Sequence, residues 1–153
     1  MRINHAKRSG RGVNTISDLQ QLSPSLEDYL EAILDLSETG KMVRVTDIAA
    51  RLNIAKPSVA QALSNLKKLK LITQDRYGPV WLTEEGRAYA GQVRQRHGIL
   101  ISFLVNILGV DAAVAEKDAC AMEHVVSAHT VERLVAFMKS QGYPPGGDPL
   151  EEK

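Results

Sequence analysis

The sequence predicts a mainly α-helical protein in which a winged helix-turn-helix comes first and an all-helical region follows. Two short helix patterns are followed directly by two apolar strand segments, "LITQD" and "VWLT", around the turn signal "RYGP". Residues 41–87, which contain this pattern, hold nine basic and four acidic side chains, whereas residues 23–40 hold five acidic and no basic ones. From Thr83 onward every predicted element is a helix.

The first helix is predicted within "SPSLEDYLEAILDLSETG", with Ser23 or Ser25 as its N-cap and Gly40 beyond its end. Asp28 and Glu31 lie three residues apart, which places both carboxylates on one flank of the helix. Five apolar residues at helical spacing form the stripe that we expect to be buried: Leu26, Tyr29, Leu30, Ile33 and Leu34.

The next two helices form the predicted helix-turn-helix. Thr46 or Asp47 is expected to cap a short helix that runs through Leu52 and ends at Asn53. A second helix starts near Pro57, and its buried residues are predicted to be Val59, Leu63 and Leu66. Because a hairpin follows at once, the order of elements is that of a winged helix-turn-helix.

Three further helices are predicted after the hairpin. A long one runs from Thr83 to Gly109, and Asp111 caps the next, "AAVAEKDACAMEHVV". Ser127 caps the last, "AHTVERLVAFMKSQG". The predicted organisation is a flexible basic arm at 1–22, a winged-helix DNA-binding domain at 23–88, a helical domain at 89–142 and a flexible tail at 143–153.

The basic block at residues 41–87 suggests a polyanion partner for this part of the chain. A helix in the major groove meets base edges with polar side chains near its N-terminus, and Gln61 there suits adenine. The candidate DNA contacts are Thr46, Lys56, Pro57, Ser58, Gln61, Lys67, Lys68 and Arg76. The alternative is a winged helix that contacts protein, with its charges merely solvated.

A second set of residues suggests a metal site. Cys120, Glu123 and His124 stand at positions i, i+3 and i+4, which share one face of a helix. Each residue also has an ordinary explanation: a buried cysteine as filler, a surface Glu-His pair, and, for His97, a satisfied core histidine. With the acidic flank of the first helix they form a donor mix that suits a divalent transition metal. The six candidate ligands are Asp28, Glu31, His97, Cys120, Glu123 and His124.

The segments "SLEDYLEAI", "VTDIAARLNIAKPSVAQALSNL", "LTEEG", "RQRHGILISFLVNILGV" and "DACAMEHVVS" occur in an order that resembles the diphtheria-toxin-repressor family of metalloregulators. The similarity covers about residues 24–140. It implies a dimeric, metal-activated DNA-binding repressor, in which the winged helix is followed by an all-helical dimerisation domain. The family has an iron-dependent branch and a manganese-transport-regulator branch.

The resemblance implies a ligand set that mixes the two branches. Asp28 and Glu31 stand where the manganese branch has two carboxylate ligands, while Cys120 matches the iron branch. The residues that match ligands in both branches are His97, Glu123 and His124. The SH3-like domain of longer members is not found after residue 142, which resembles the manganese branch.

Some positions depart from the iron branch. Its second metal site has Glu where this chain has Ile101, and His where this chain has Glu116, so we do not expect that site in its usual form. On the DNA side, Ala55 replaces a serine of the iron branch. The positions that match base-contacting residues of the family are Pro57, Ser58 and Gln61.

The donor chemistry suggests an order of metals. The thiolate of Cys120 favours iron(II), the two carboxylates of the first helix pull toward manganese(II), and zinc(II) comes third. Without metal the carboxylates repel one another, and a cation between the two domains would restrict the dimer to the spacing of a palindromic operator. The expected partners are therefore double-stranded DNA and a second copy of the chain, through "ILISFLVNILGV" and "VERLVAFM".

Other functions are weighed against this one. A winged-helix regulator could sense oxidation of Cys120, but a single cysteine has no resolving partner in its chain. A metalloenzyme is disfavoured because the two-histidine zincin spacing and a separate nucleophile are missing, so neither enzymatic activity nor a small organic substrate is expected. A structural nucleoid protein would not need the donors. One cysteine also favours a reduced, cytoplasmic setting, and no apolar run is long enough for a membrane span.

Overall fold

The computed structural model describes residues 22–145 and, within them, has six α-helices and one antiparallel hairpin. The predicted arm at 1–22 and tail at 143–153 therefore lie almost wholly outside the described residues. In chain order the elements are α1 (Pro24–Glu38), α2 (Val45–Leu52), α3 (Lys56–Lys68), β1 (Ile72–Gln74), β2 (Val80–Leu82), α4 (Glu84–Ser102), a π-helical turn (Phe103–Ile107), α5 (Ala112–Met122) and α6 (Ala128–Ser140). The predicted mainly α-helical fold with a winged helix-turn-helix is confirmed.

The first core lies among α1, α2, α3, the hairpin and the N-terminal half of α4. The strands pair in the register Ile72↔Leu82, Thr73↔Trp81 and Gln74↔Val80. Each large apolar side chain removed from water there contributes about 1.5–3 kcal/mol. The predicted stripe of α1 and the three predicted residues of α3 all contribute to this core; its fully buried members include Leu30, Ile33, Ile48, Val59, Leu66 and Val93.

Helix α4 passes from the first core into the second. Tyr89, Ala90 and Val93 pack in the first, and Leu100 packs in the second with Leu104 and two alanines of α5. The predicted boundary between residues 88 and 89 thus falls inside a continuous helix. Helix α4 therefore connects the core around α1 with the core around α5.

The base of the hairpin rests closely on the first turn of α4. The Thr83 hydroxyl donates to the Lys70 carbonyl at 2.8 Å, and the backbone nitrogen of Thr83 donates to the Leu71 carbonyl at 3.1 Å. A Cβ added to Gly86 would lie 1.8 Å from the Leu71 carbonyl oxygen. Glycine is therefore required at position 86 for this approach.

Most predicted helix ends are confirmed. Ser23, Thr83, Asp111 and Ser127 are N-caps whose side chains accept from backbone nitrogens, and Asn53 ends α2 in the left-handed region with φ 53°. Gly40 and Gly109, placed beyond helix ends by the sequence, also have positive φ values of 78° and 68°.

Three helix ends differ from prediction. The helix predicted to run from Thr83 to Gly109 is α-helical only to Ser102 and continues as a π-helical turn to Ile107. Arg44, and neither Thr46 nor Asp47, is the N-cap of α2, because the Asp47 carboxylate reaches back from inside the first turn and accepts from the Arg44 backbone nitrogen at 2.9 Å. Helix α5 ends at Met122 instead of continuing through residue 126. The Met122 carbonyl accepts from both Val125 and Val126 in a tightened final turn, and the chain then turns into α6.

Among the described residues, no helix is both long and apolar enough to cross a membrane.

Candidate metal centre

Five of the six predicted ligands, all except His124, line a cleft of about 390 Å³ that is bounded by α1, α2, α4 and α5. His124 contacts Asp28 and Glu123 of this cleft. The predicted ligands form two groups, and within each group one ligand atom per residue lies within 4.8 Å of the others. Here the first donor group is Asp28, Glu31, Glu123 and His124, and the second donor group is His97, Glu116 and Cys120. All six predicted ligands are present, together with one residue, Glu116, that was not predicted as a ligand.

The first donor group joins α1 to the end of α5. Asp28 and Glu31 are one turn apart on α1, and Glu123, which is 2% exposed, lies directly after the last residue of α5. The Nε2 atom of His124 lies 2.9 Å from Asp28 Oδ1 and 3.3 Å from Glu123 Oε1. Three carboxylates and one imidazole thus converge from two parts of the chain.

The second donor group lies between α4 and α5. Glu116 and Cys120 are four residues apart on α5, and the Glu116 carboxylate is 3.0 Å from His97 Nε2. The other ring nitrogen of His97, Nδ1, lies 2.6 Å from Glu123 Oε2. His97 therefore stands between the two donor groups.

The residues fit a bound cation by a further criterion. His97 Nδ1 and Glu123 Oε2 are both buried, and neither has a hydrogen-bond partner with suitable geometry among the described residues, although they face each other. Buried polar atoms in proteins almost always have a partner. A divalent ion coordinated by both side chains would replace this direct 2.6 Å contact and provide a partner for both atoms.

Cys120 and Glu123 line the same cleft, and the Glu123 backbone nitrogen still donates to the Ala119 carbonyl at 2.9 Å, as in a continuing helix. Glu123 and His124 group with Asp28 and Glu31 of α1, whereas Cys120 groups with His97 and Glu116. That Cys120, Glu123 and His124 bind one ion together stays a prediction. The spacing of four between Glu116 and Cys120 was the sequence signal for that second group.

Burial and like charges shift the titration of the cleft. Burial, reinforced by Glu123, raises the pKa of Glu31 to about 7, and burial also raises the pKa of Asp28. The adjacent Glu123 carboxylate raises the pKa of His97 to about 9. Burial raises the pKa of the Cys120 thiol as well. Metal ligands must lose their protons, so binding of a cation in this cleft would release protons.

Glu27 is a buried residue of the site that the sequence interpretation missed. It is 4% exposed, and its carboxylate accepts from the Tyr89 hydroxyl at 2.6 Å and lies 2.6 Å from His124 Nδ1. Burial lowers the pKa of His124, but contact with Glu27 and Asp28 outweighs it, so the net shift is upward. Glu27 stands three residues before Leu30 and seven before Leu34, a spacing that already placed it beside the buried stripe.

Ion pairs at the rim of the cleft connect α1 with α2 and α4. The Asp35 carboxylate pairs with Arg51 of α2 at 2.9 Å and with Arg94 of α4. Arg94 also pairs with Glu38 at 2.9 Å. All four side chains are partly or largely exposed, so each pair contributes only modestly to stability.

The predicted DNA contacts lie on a separate, exposed surface. All eight of them are exposed: Thr46, Lys56, Pro57, Ser58, Gln61, Lys67, Lys68 and Arg76. A groove of about 440 Å³ between the helix-turn-helix and the hairpin is lined by residues that include Arg44, Lys67 and Arg76. Arg44 was not predicted as a contact, although it belongs to the basic block.

Both halves of the chain match known protein families. Two family models match: the N-terminal DNA-binding domain of iron-dependent repressors over residues 21–80, and the metal-binding and dimerisation domain of iron-dependent repressors over residues 83–151. The transcriptional regulator MntR of Salmonella typhimurium is 39% identical over 117 residues, which are 76% of this chain and 74% of that protein.

Two other relatives are longer than this chain. The iron-dependent repressor IdeR of Mycobacterium bovis is 33% identical over 134 residues, which cover 86% of this chain and 57% of IdeR. The solved structure of the manganese regulator SloR superposes with a TM-score of 0.67 at 30% identity, over 77% of this chain and 55% of SloR. This chain thus spans little more than half the length of either. It belongs to the iron-dependent repressor family, the diphtheria-toxin-repressor and manganese-transport-regulator family of metal-dependent, non-enzymatic transcriptional repressors.

Proposed function

We propose that this chain represses genes of metal-ion homeostasis by binding a palindromic operator as a dimer when it is loaded with iron(II) or manganese(II). The observation that carries the proposal is the convergence of Asp28 and Glu31, from the DNA-binding unit, with Glu123 and His124 after α5. Donors from two structural units make the relative position of those units depend on a cation.

The residues suggest how that dependence arises. With no cation, Asp28, Glu31 and Glu123 are carboxyl groups crowded at the junction of α1 and α5, and their charged forms repel. A bound divalent ion supplies the compensating positive charge. Asp28 and Glu31 then hold α1 against the end of α5, and α1 carries the helix-turn-helix with it through the first core. A coupling of about 1–3 kcal/mol changes operator affinity about 5- to 150-fold.

The choice of metal follows from the split of the donors. The first donor group offers three carboxylates and one imidazole, a hard set that suits manganese(II). The second donor group contains the Cys120 thiol, which favours iron(II), with zinc(II) as a third candidate. We retain iron(II) as the first candidate because of this thiol. Without it, every donor in the cleft would be an oxygen or a nitrogen atom.

The proposed dimer surface lies on the helical domain. Within "ILISFLVNILGV" and "VERLVAFM", the residues Leu100, Leu104 and Met138 are buried inside the chain itself. Leu108 and Phe137 are 58% and 47% exposed, and Val114 of α5 is 49% exposed. These three are the apolar side chains that we propose to be covered by a second copy.

The alternative sensor, oxidation of Cys120, has less support. Burial and four neighbouring carboxyl groups raise the pKa of this thiol, which lowers the fraction of reactive thiolate. A redox-sensing cysteine needs the opposite environment.

The decisive experiment selects operator fragments from a random duplex library and measures their binding by fluorescence anisotropy under anaerobic conditions. Iron(II), manganese(II) and zinc(II) are titrated separately, with a chelator-treated sample as reference. We expect affinity to rise at least about fivefold with the physiological metal. Equal binding with and without every metal would refute metal activation.

A further inference from the structure

Glu27 and His124 form a buried carboxylate–imidazole pair between α1 and the turn after α5. Glu27 lies on α1 next to Asp28, yet it is buried while Asp28 is exposed. A buried carboxylate is costly unless both of its oxygens are hydrogen-bonded. Here Oε1 accepts from the Tyr89 hydroxyl and Oε2 lies 2.6 Å from His124 Nδ1, so both oxygens have a partner.

The imidazole of His124 lies between Glu27 and the first donor group. Its Nδ1 faces Glu27, while its Nε2 faces Asp28 at 2.9 Å and Glu123 at 3.3 Å. A neutral imidazole carries its proton on one nitrogen and a lone pair on the other. If Nδ1–H is donated to Glu27, the lone pair of Nε2 points at the carboxylates where a cation would lie.

We propose that Glu27 is a positioning residue that accepts the Nδ1–H of His124 and thereby directs Nε2 into the first donor group. The inference rests on the proposed function, since it requires an ion at that group. Histidines that bind metals generally donate their second N–H to a carboxylate or carbonyl, which fixes both the ring orientation and the tautomer. Tyr89 places Glu27 in turn, and it ties this arrangement to α4.

A purely structural role for Glu27 is the competing explanation. The pair joins α1 to the α5–α6 turn even without metal, so its loss would lower the stability of the fold in either case. Only the positioning role predicts that Glu27 affects metal affinity by orienting the His124 ring.

The first test compares Glu27→Gln with wild type in manganese(II) affinity, measured by competition with a fluorescent chelator on the full chain. We expect about 10- to 100-fold weaker binding, the range found for residues that orient metal ligands. The matched control is Glu38→Gln, the same change on α1 at an exposed residue that pairs with Arg94. Its affinity should stay within about twofold of wild type.

The decisive comparison repeats Glu27→Gln in a His124→Ala background. If Glu27 acts through His124, Glu27→Gln has no imidazole ring left to orient in this background. The further loss of manganese(II) affinity should then be no more than about twofold. An equal loss in both backgrounds, or no loss in either, would overturn the positioning role. Far-UV circular dichroism checks that each variant is folded.

A measurement on wild type keeps the inference testable if Glu27→Gln does not fold. In zinc(II)-loaded protein with ¹⁵N-labelled histidine, long-range ¹H–¹⁵N spectra report the state of each ring nitrogen. We expect His124 to have a protonated Nδ1 and a metal-bound Nε2. A metal-bound Nδ1, or a His124 ring unaffected by zinc, would overturn the inference while leaving metal binding intact. If wild type binds neither zinc(II) nor manganese(II), the proposed function fails and this inference with it.

Discussion

The two donor groups of the cleft differ in what holds them and in what they connect. The first donor group joins α1 to the end of α5; its member Glu123 is buried, and buried Glu27 contacts its member His124 at 2.6 Å. The second donor group lies wholly on α4 and α5, and two of its three members, Glu116 and Cys120, are exposed. A cation in the first group would link the DNA-binding unit to the helical domain, whereas one in the second group would not touch α1.

Because only the first donor group includes residues of α1, we expect the two donor groups to have different roles. We expect occupancy of the first donor group to control operator affinity, because only its ligands span the two units. We expect the second donor group to tune which metal is preferred and how tightly it is held. His97 and Glu123 face each other across the boundary, so the two groups are not independent.

The largest effect is expected from Glu123→Ala, because this carboxylate faces both groups. Its Oε1 points to His124 and its Oε2 to His97, so one substitution removes a ligand of the first group and the carboxylate that contacts His97 of the second. The full metal-dependent gain in operator affinity, about 5- to 150-fold, should be lost. Anisotropy titration with and without metal measures it, and size-exclusion chromatography checks that the oligomeric state is that of wild type. Retention of a wild-type metal response would remove Glu123 from the site.

The next largest effect is expected from Glu31→Gln, which is compared with Glu116→Gln, the same chemical change in the other donor group. Glu31→Gln should remove most of the metal-stimulated operator binding, because it takes a carboxylate of α1 out of the link between the units. Glu116→Gln should weaken metal affinity by about tenfold or more and leave the stimulation at saturating metal. Metal analysis and anisotropy on the same samples measure both. If the two variants behave alike, the division of tasks is wrong.

A smaller effect is expected from Cys120→Glu, which replaces the thiol of the second donor group by a hard carboxylate. The metal that gives half-maximal operator binding at the lowest concentration should shift from iron(II) toward manganese(II). Cys120→Ser serves as a control that removes the thiolate without adding a charge. An unchanged order of metals in anaerobic titrations would show that the thiol does not set the preference.

The smallest effect is expected from Arg94→Ala at the rim of the cleft. Arg94 pairs with Asp35 and Glu38, but these side chains are exposed, so the free energy of unfolding should fall by no more than about 1 kcal/mol. Manganese(II) affinity should stay within about twofold of wild type. Urea unfolding measures the free energy of unfolding, and chelator competition measures the metal affinity. A large loss of metal affinity would show that Arg94 contributes to the metal site.

Much of the fold could be read from local patterns. The apolar spacing of α1, the hairpin turn and the caps Ser23, Thr83 and Ser127 each depend on residues within one or two turns of each other. The end of α5 was misjudged, because neither glycine nor proline follows Met122 to mark a stop before Ser127.

The sequence by itself determined the residue types: a basic winged helix, and acidic, histidine and thiol donors at helical spacing. Only the tertiary structure decided that Glu116 and Cys120 face His97, that Glu123 faces two histidines, and that Glu27 is buried beside His124. The physical reason is that spacing along a helix fixes which side chains share a face. Which faces meet across α1, α4 and α5 depends instead on how the two cores pack around one continuous helix.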